Sequence, residues 1–370
     1  MTRVGVIGGG QLAWMMAQEA PSEGVVLSVQ TPSKKDSAVS LADRFVLAEV
    51  DSVEGTQKLA ENCDVITFEN EFVDLEGLQV LANKGVCFRP SLDSLAPLLD
   101  KYDQRCFLQN LGLPVPRFKD FEHQKDLEIF GFPVVLKVRR HGYDGQGTMI
   151  INSAEQLDSA LEVLGDVPFL VEEFVPFEAE LAVIAARGID GAVVCYPVVE
   201  TYQKNQVCRW TIAPTNITIA QSEQVKAIAH KLLKALNYVG VMGIELFLTK
   251  EGQILVNETA PRTHNSGHYT LDGCVTSQFA LQLRAVTGKP LGDLSFRQQG
   301  AIMVNLLGLE DDNYQPKLDR IAQIKNAYVH WYQKAESRPG RKMGHVTVLI
   351  DNTIQEPRAI VQQIESMWYQ

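Results

Sequence analysis

Residues 3–20 read "RVGVIGGGQLAWMMAQEA": an apolar run, three consecutive glycines, then alternating apolar and polar positions at helical spacing. Such a segment folds as a strand, a tight turn and a helix, and the helix must return over a sheet. "VVLSVQ" is a second strand and "CDVITFENEF" contains a third, so the first unit is expected to be a parallel α/β sheet over residues 1–96. Gly8, Gly10 and Ala13 form GxGxxA at a strand–helix junction, a pattern whose backbone amides cradle phosphates. A nicotinamide site also requires an acid at the end of the second strand. The sequence there is "SVQTPSKK", with Gln30 and Thr31 in its place, so a dinucleotide oxidoreductase is disfavoured. Another phosphate at the helix start, and glycines needed only for the turn, both stay open.

The rest of the chain changes character. "LLDKYDQRCFLQNLG" is a helix, and "LPVPRF" leads from it to a small unit of strands and one helix within 97–177. From 178 to 370 the strands read as antiparallel, with helices at "SEQVKAIAHKLLKALN" and "EPRAIVQQIESM". The composition, 45% hydrophobic and 21% charged in 370 residues, is that of a globular protein with room for two or three domains. No apolar run reaches the ~20 residues of a membrane span, and the first strand begins too early to leave room for a targeting peptide. The net charge of −11 opposes nucleic-acid and anionic-membrane partners but not an anionic small substrate. Six scattered cysteines without a CxxC are expected to be reduced structural thiols of a cytoplasmic protein.

Three clusters carry chemistry. Lys137 lies on the strand "FPVVLKVRR", and "RRHGYDGQGT" follows, with Gly142, Gly145 and Gly147 in a turn between strands. A strand lysine with a glycine hairpin can cover nucleotide phosphates; a snorkelling lysine beside an ordinary hairpin is the plain alternative. Glu245 in "GIELF" and Glu258 at the end of the next strand, beside Asn257, can face one cleft from adjacent strands. Carboxylates held there would repel one another unless a cation sat between them, and Mg²⁺ shared with phosphates fits; a pair of exposed strand glutamates is the plain alternative. Finally, "NETAPRTHNSGHYT" concentrates Arg262, His264, Asn265 and His268 in one loop, and "KAESRPGRK" is a basic stretch that suits a phosphate dianion or, as plainly, is a solvated turn.

The order of these features resembles the ATP-grasp superfamily. Within it, "GGGQL", "TFENEF", "KVRRHGYDGQG", "VEEFV", "YPVVE", "NYVGVMGIELF", "NETAPRTHNSGH" and "RPGRKMGH" resemble the 5-(carboxyamino)imidazole ribonucleotide synthase family (the ATPase subunit of phosphoribosylaminoimidazole carboxylase). The resemblance covers essentially the whole chain, and "APRTHNSGH" with "RPGRKMGH" is its most specific part. It implies three parts of α/β and α+β character: an N-terminal parallel-sheet pre-ATP-grasp domain, a small lid, and a C-terminal ATP-grasp domain. It further implies ATP as co-substrate, two Mg²⁺ ions, bicarbonate and 5-aminoimidazole ribonucleotide, carboxyphosphate as intermediate, and a homodimer associating through the N- and C-terminal domains.

Carried over by position, Lys101, Lys137 and Gly142, Tyr143, Asp144, Gly145, Gln146, Gly147 and Thr148 would meet ATP. Glu172, Glu173, Phe174 and Val175 would form the hinge strand whose backbone reads adenine, with Gln203 nearby. Glu180 would accept from the ATP ribose, and Asn257 would assist the metal ligands Glu245 and Glu258. Gln11, Leu12, Glu69, Tyr143, Asp144, Lys334, Arg341 and Lys342 would bind the ribonucleotide. Arg262 and His264 would hold bicarbonate and then carboxyphosphate, with Asn265 and His268 orienting the substrate or supporting that pair. Three positions depart from the family pattern: Gln146 for a cation, Gln203 for His, and Lys101 for Arg. A formate-using glycinamide ribonucleotide transformylase would share the ATP residues but not "APRTHNSGH". An ATP-binding regulator would have no need to keep Arg262 and His264.

Overall fold

The computed structural model describes all residues except 122, 124–126, 128, 141, 143–146, 311–312 and 370. Three sheets organise the described chain. The first contains β1 (Thr2–Ile7), β2 (Val25–Thr31), β3 (Arg44–Leu47) and β4 (Val65–Phe68), all parallel in the order β3-β2-β1-β4. β3 was not expected from sequence: its four residues are largely exposed at the sheet edge, so neither burial nor alternation marks them.

The second sheet is antiparallel, ordered β5-β8-β6-β7, from β5 (Phe118–Asp120), β6 (Val134–Val138), β7 (Thr148–Ile151) and β8 (Phe169–Glu173). Helix Ala154–Leu164 packs its apolar stripe, Leu157, Ala160 and Leu164, on one face of this sheet and closes a core of its own. Ser153 caps that helix by accepting from the Gln156 N–H.

The third and largest sheet has β9 (Phe177–Arg187), β10 (Val193–Cys195), β11 (Val199–Lys204), β12 (Val207–Ala213), β13 (Gly240–Thr249), β14 (Ile254–Ala260), β15 (Gly300–Leu307), β16 (Ala327–Trp331) and β17 (Lys342–Ile350). Its order is β14-β13-β9-β11-β12-β15-β17-β16, with β10 added on β9.

The first and third sheets are not independent bodies. Helix Gln11–Glu19 buries Leu12, Trp14, Met15 and Met16 in one cluster with Phe279, Leu283 and Val286 of helix Gln278–Thr287. Gln282 Nε2 donates to Thr67 Oγ1 at 2.7 Å, and Arg284 pairs with Glu23 at 2.8 Å. A second shared cluster joins Phe68 and Leu78 to Met242, Ile244 and Leu246 of β13. The small sheet, with its separate core, stands over the cleft between them.

Candidate active site

A cavity of about 910 Å³ lies where the three sheets meet, and residues from each of them line it. One end of it is built on β13 and β14. Glu245 stands directly opposite Glu258 across this strand pair, while the next partners are Leu246 and Val256. One residue, Asn257, is therefore extra on β14. A bulge of this kind cancels the alternation of side chains, so Asn257 and Glu258 both line the cavity.

Lys101 Nζ lies 3.1 Å from Glu258, and Lys137 Nζ donates to Asn257 Oδ1 at 3.0 Å. Glu258 ionises readily: burial opposes its charge, but Lys101 and Lys137 outweigh burial and lower its pKa. Glu245 is different. Burial first, then Glu258 and Glu180, push it up to about 7.

Carboxylates so arranged fit a bound cation, because a divalent ion would stabilise the charge that burial and repulsion oppose. Among the described residues no cluster of three His, Cys, Asp or Glu side chains forms a closed metal cage.

Lys137 is also clamped from behind. Its ammonium lies 2.7 Å from Glu172, whose other oxygen meets Arg105 Nε, and Arg105 and Glu172 are each only 3% exposed as side chains. Burial alone would raise the Glu172 pKa; Arg105 and Lys137 bring it down to about 2. The side chain of Glu172 is thus a buried counter-ion, and the expected adenine contact concerns its backbone alone. Arg105 was missed altogether. Only its spacing four residues after Lys101 on one helix face could have suggested it.

The neighbouring hinge residues do face the cavity. Glu173, Phe174 and Val175 line it, with Phe177 and Phe247 stacked at 4.9 Å between ring centroids. The Glu173 N–H is taken by Arg117 O and the Val175 carbonyl by the Phe177 N–H. Glu180 on β9 lines the same region as Gln203 on β11, and burial pushes its pKa up to about 7 against a backbone hydrogen bond from Gln203. Gly142 and Thr148 also line the cavity. Tyr143, Asp144, Gly145 and Gln146 lie outside the described residues.

The loop after β14 forms the middle of the site. Arg262 Nε lies 3.0 Å from Glu71, and its Nη1 donates to Thr263 O. Burial works against the guanidinium charge, but Glu71, Glu258 and Glu69 more than offset it, and the pKa is raised. His264 Nδ1 is 2.9 Å from Ser266 Oγ, and its Nε2 is 3.6 Å from Glu245. The His264 backbone is bracketed by one amide: its N–H donates to Gln278 Oε1 at 2.9 Å, and its carbonyl accepts from Gln278 Nε2 at 2.7 Å. Gly243 leaves room for this, since a Cβ there would stand 2.5 Å from that of His264.

Asn265 lines the cavity but exchanges two amide hydrogen bonds with Asn305, at 2.9 and 2.7 Å. His268 is fully buried, 5.2 Å from His345 and 5.6 Å from Phe279 between ring centroids. It does not line the cavity and meets Gln278, which brackets His264, so of its two expected roles the structure favours support of the pair over contact with the substrate. Glu71, Gln278 and Asn305 were missed because they lie far from the loop in sequence.

The opposite end is built on the glycine turn. Glu69, at the end of β4, accepts from the Gly10 N–H at 2.6 Å and the Leu12 N–H at 2.9 Å. The start of helix Gln11–Glu19 is thus filled by the protein's own carboxylate, which favours, of the two readings left open, glycines that serve the turn. A Cβ on Gly10 would stand 2.6 Å from Glu69, so the glycine serves this close approach. Gln30, where a dinucleotide fold needs an acid, is buried and donates to the carbonyls of Glu49 and Ser52. Leu12 lines the cavity, and Gln11 accepts from Lys334 Nζ at 2.6 Å. Lys334 also donates to Lys342 O, and Lys342 and Arg341 line the same wall.

Comparison with known proteins agrees along the whole chain. Residues 1–97 match the ribonucleotide synthetase preATP-grasp domain, 106–279 the ATP-grasp domain, and 301–356 the phosphoribosylaminoimidazole carboxylase C-terminal domain. An N5-carboxyaminoimidazole ribonucleotide synthase of Synechocystis sp. is 54% identical over 384 residues, covering 100% of this chain and 98% of that one. A solved carboxyaminoimidazole ribonucleotide synthase from Aspergillus clavatus, complexed with ATP, superposes with a TM-score of 0.94 at 33% identity, covering 100% of this chain and 98% of that one. A structure from the same organism, in complex with ADP and 5-aminoimidazole ribonucleotide, gives 0.91 at 33% identity, with the same coverage of both chains. With the fold, the three matched domains and identity over its full length in agreement, the chain belongs to the N5-carboxyaminoimidazole ribonucleotide synthase family.

Proposed function

We propose that the protein is an ATP-dependent C–N ligase that carboxylates 5-aminoimidazole ribonucleotide with bicarbonate, in purine biosynthesis. The observation that carries the reading is one cavity with a lysine–carboxylate phosphate end, an Arg262–His264 loop in the middle, and a Gln11–Lys334 wall opposite. We divide the chain into a pre-ATP-grasp unit (1–96), a linker and lid (97–177) and an ATP-grasp unit (178–370).

ATP lies between the small and large sheets. The hinge at Glu173, Phe174 and Val175 receives adenine beside Gln203, Glu180 receives the ribose, and Lys101, Lys137, Gly142, Gly147 and Thr148 receive the phosphates. Glu245 and Glu258, with Asn257 beside them, would hold Mg²⁺, as two ions, which neutralises charge on the phosphoryl oxygens. Arg262 and His264 hold bicarbonate against the γ-phosphate, and Asn265 keeps the loop in place through Asn305.

A bicarbonate oxygen attacks the γ-phosphorus, the bond to ADP breaks, and carboxyphosphate forms with Arg262 stabilising charge on the transferring group. The exocyclic amine of the ribonucleotide then attacks the carboxyl carbon, either of carboxyphosphate itself or of the CO₂ it releases. The C–O bond to phosphate breaks, the amine loses a proton, and inorganic phosphate leaves. Lys334, Arg341 and Lys342 bind the 5′-phosphate, with Gln11, Leu12 and Glu69 shaping the wall beside it. The small sheet excludes water from the labile anhydride. We further infer a cytoplasmic homodimer.

The test is ADP release by purified protein with Mg-ATP, bicarbonate and 5-aminoimidazole ribonucleotide, each omitted in turn. Full turnover requires all of them and leaves bicarbonate carbon in an acid-labile product. Turnover with formate and glycinamide ribonucleotide would overturn the reading.

A further inference from the structure

β11 and β12 are joined by two residues, Asn205 and Gln206, between the paired positions Lys204 and Val207. Both have positive φ, 52° and 61°, the requirement of a type I′ turn, whose second position favours glycine. Asparagine tolerates this conformation; glutamine adopts it at a cost in backbone energy. A local rule broken in this way calls for something that the side chain does.

Gln206 lines the cavity, and its Nε2 donates to the Thr148 carbonyl at 3.0 Å. β7, which begins at Thr148, is the edge strand of the small sheet. The Val138 N–H donates to Gly147 O at 2.7 Å, so the Gly147 carbonyl points towards β6. Successive carbonyls alternate sides along a strand, which turns that of Thr148 to the free edge. Gln206 therefore satisfies a backbone acceptor of an otherwise open edge. Thr148 stands opposite Lys137 in the β6–β7 register, and both line the cavity. The hairpin from the large sheet thus reaches the small sheet at the strand position beside the phosphate-end lysine.

We propose that Gln206 is a positioning residue of the carboxylation reaction: its bond to Thr148 holds the edge of the small sheet down on the large one and so keeps water from the phosphate end. It does not touch the reacting atoms. The inference rests on the function proposed above, in which a labile anhydride must be shielded.

The test compares the parent with Gln206→Gly and Gln206→Asn. Glycine adopts the turn freely but has no donor. Asparagine also tolerates it but is one methylene too short to reach Thr148. Measured are the melting temperature, the KM for ATP, and the ratio of ADP formed to carboxylated product. Gln206→Gly is expected to melt no lower than the parent. In both variants the KM for ATP rises about five- to ten-fold, as for loss of one hydrogen bond, and ADP exceeds product.

Parental KM and parental coupling in folded Gln206→Gly would overturn the proposal, as would parental behaviour in Gln206→Asn. A melting temperature that drops in Gln206→Gly with coupling intact would also overturn it, as the mark of a purely structural residue. Failure of the parent itself to carboxylate the ribonucleotide would remove the function and not this contact. The two failures are thereby distinguished.

Discussion

At the scale of single residues, the two carboxylates opposite each other on β13 and β14 have their pKa values shifted in opposite directions, Glu245 up and Glu258 down. Lys101 and Lys137 lower the pKa of Glu258 despite its burial. Glu258→Gln is expected to reduce ATP cleavage by about a thousand-fold or more, the scale of losing a preorganised charge at the transferring group. A variant with near-parental ADP release would remove Glu258 from the site.

Glu180 supplies a pH dependence. Burial lifts its pKa from 4.5 to about 7, so the carboxyl is neutral below that pH and a full acceptor for ribose hydroxyls above it. The KM for ATP is therefore expected to fall as pH rises through about 7, and Glu180→Gln to flatten that part of the profile. A profile unchanged by the substitution would contradict the assignment. Linked stability runs the other way: a raised acid favours folding at low pH, and that contribution is lost as pH climbs through the folded value.

Lys137, Glu245, Glu258, Arg262 and His264 were legible because charged residues crowd short, apolar-flanked segments. Arg105, Glu71 and Asn305 were not, since what makes them matter is a partner 67, 191 and 40 positions away in the chain.

Among the elements, the strand–turn–helix at the N-terminus shows what sequence spacing can and cannot specify. The turn and helix are where "GGGQL" puts them, and the group at the helix start is the carboxyl of Glu69, the residue after β4. A glycine pattern reports that something approaches the backbone closely and leaves open what it is.

Glu69→Ala leaves the Gly10 and Leu12 N–H groups without this acceptor. It is expected to cost about 1–3 kcal/mol of stability, visible as a lowered midpoint in urea or thermal unfolding. An unchanged midpoint would show that water replaces the carboxylate without loss. The β13–β14 pair was legible as two strands and a turn, and its facing glutamates were anticipated. The bulge that brings Asn257 to the same face as Glu258 was not, because an extra residue leaves no mark in an apolar run. β3 escaped notice for the opposite reason, being short, exposed and flanked by loops.

Across the whole molecule, the first and third sheets share two hydrophobic clusters, while the small sheet keeps its own. This division suits the cycle proposed above, in which the Gln11–Lys334 wall and strands β13 and β14 stay fixed while the small sheet admits ATP. The alternation of parallel and antiparallel units could be read from the sequence. The sharing of cores could not, because it depends on helix Gln278–Thr287 packing back on helix Gln11–Glu19 across the length of the chain.

The central claim is that this cavity first joins bicarbonate to the γ-phosphate and then passes the carboxyl to an amine. Turnover with ¹⁸O-labelled bicarbonate, followed by mass analysis of the products, tests it most directly. A bicarbonate oxygen that attacks phosphorus stays on it when the C–O bond breaks, so the account predicts one labelled oxygen in inorganic phosphate and none in ADP. Unlabelled phosphate alongside labelled carboxylated product would contradict it.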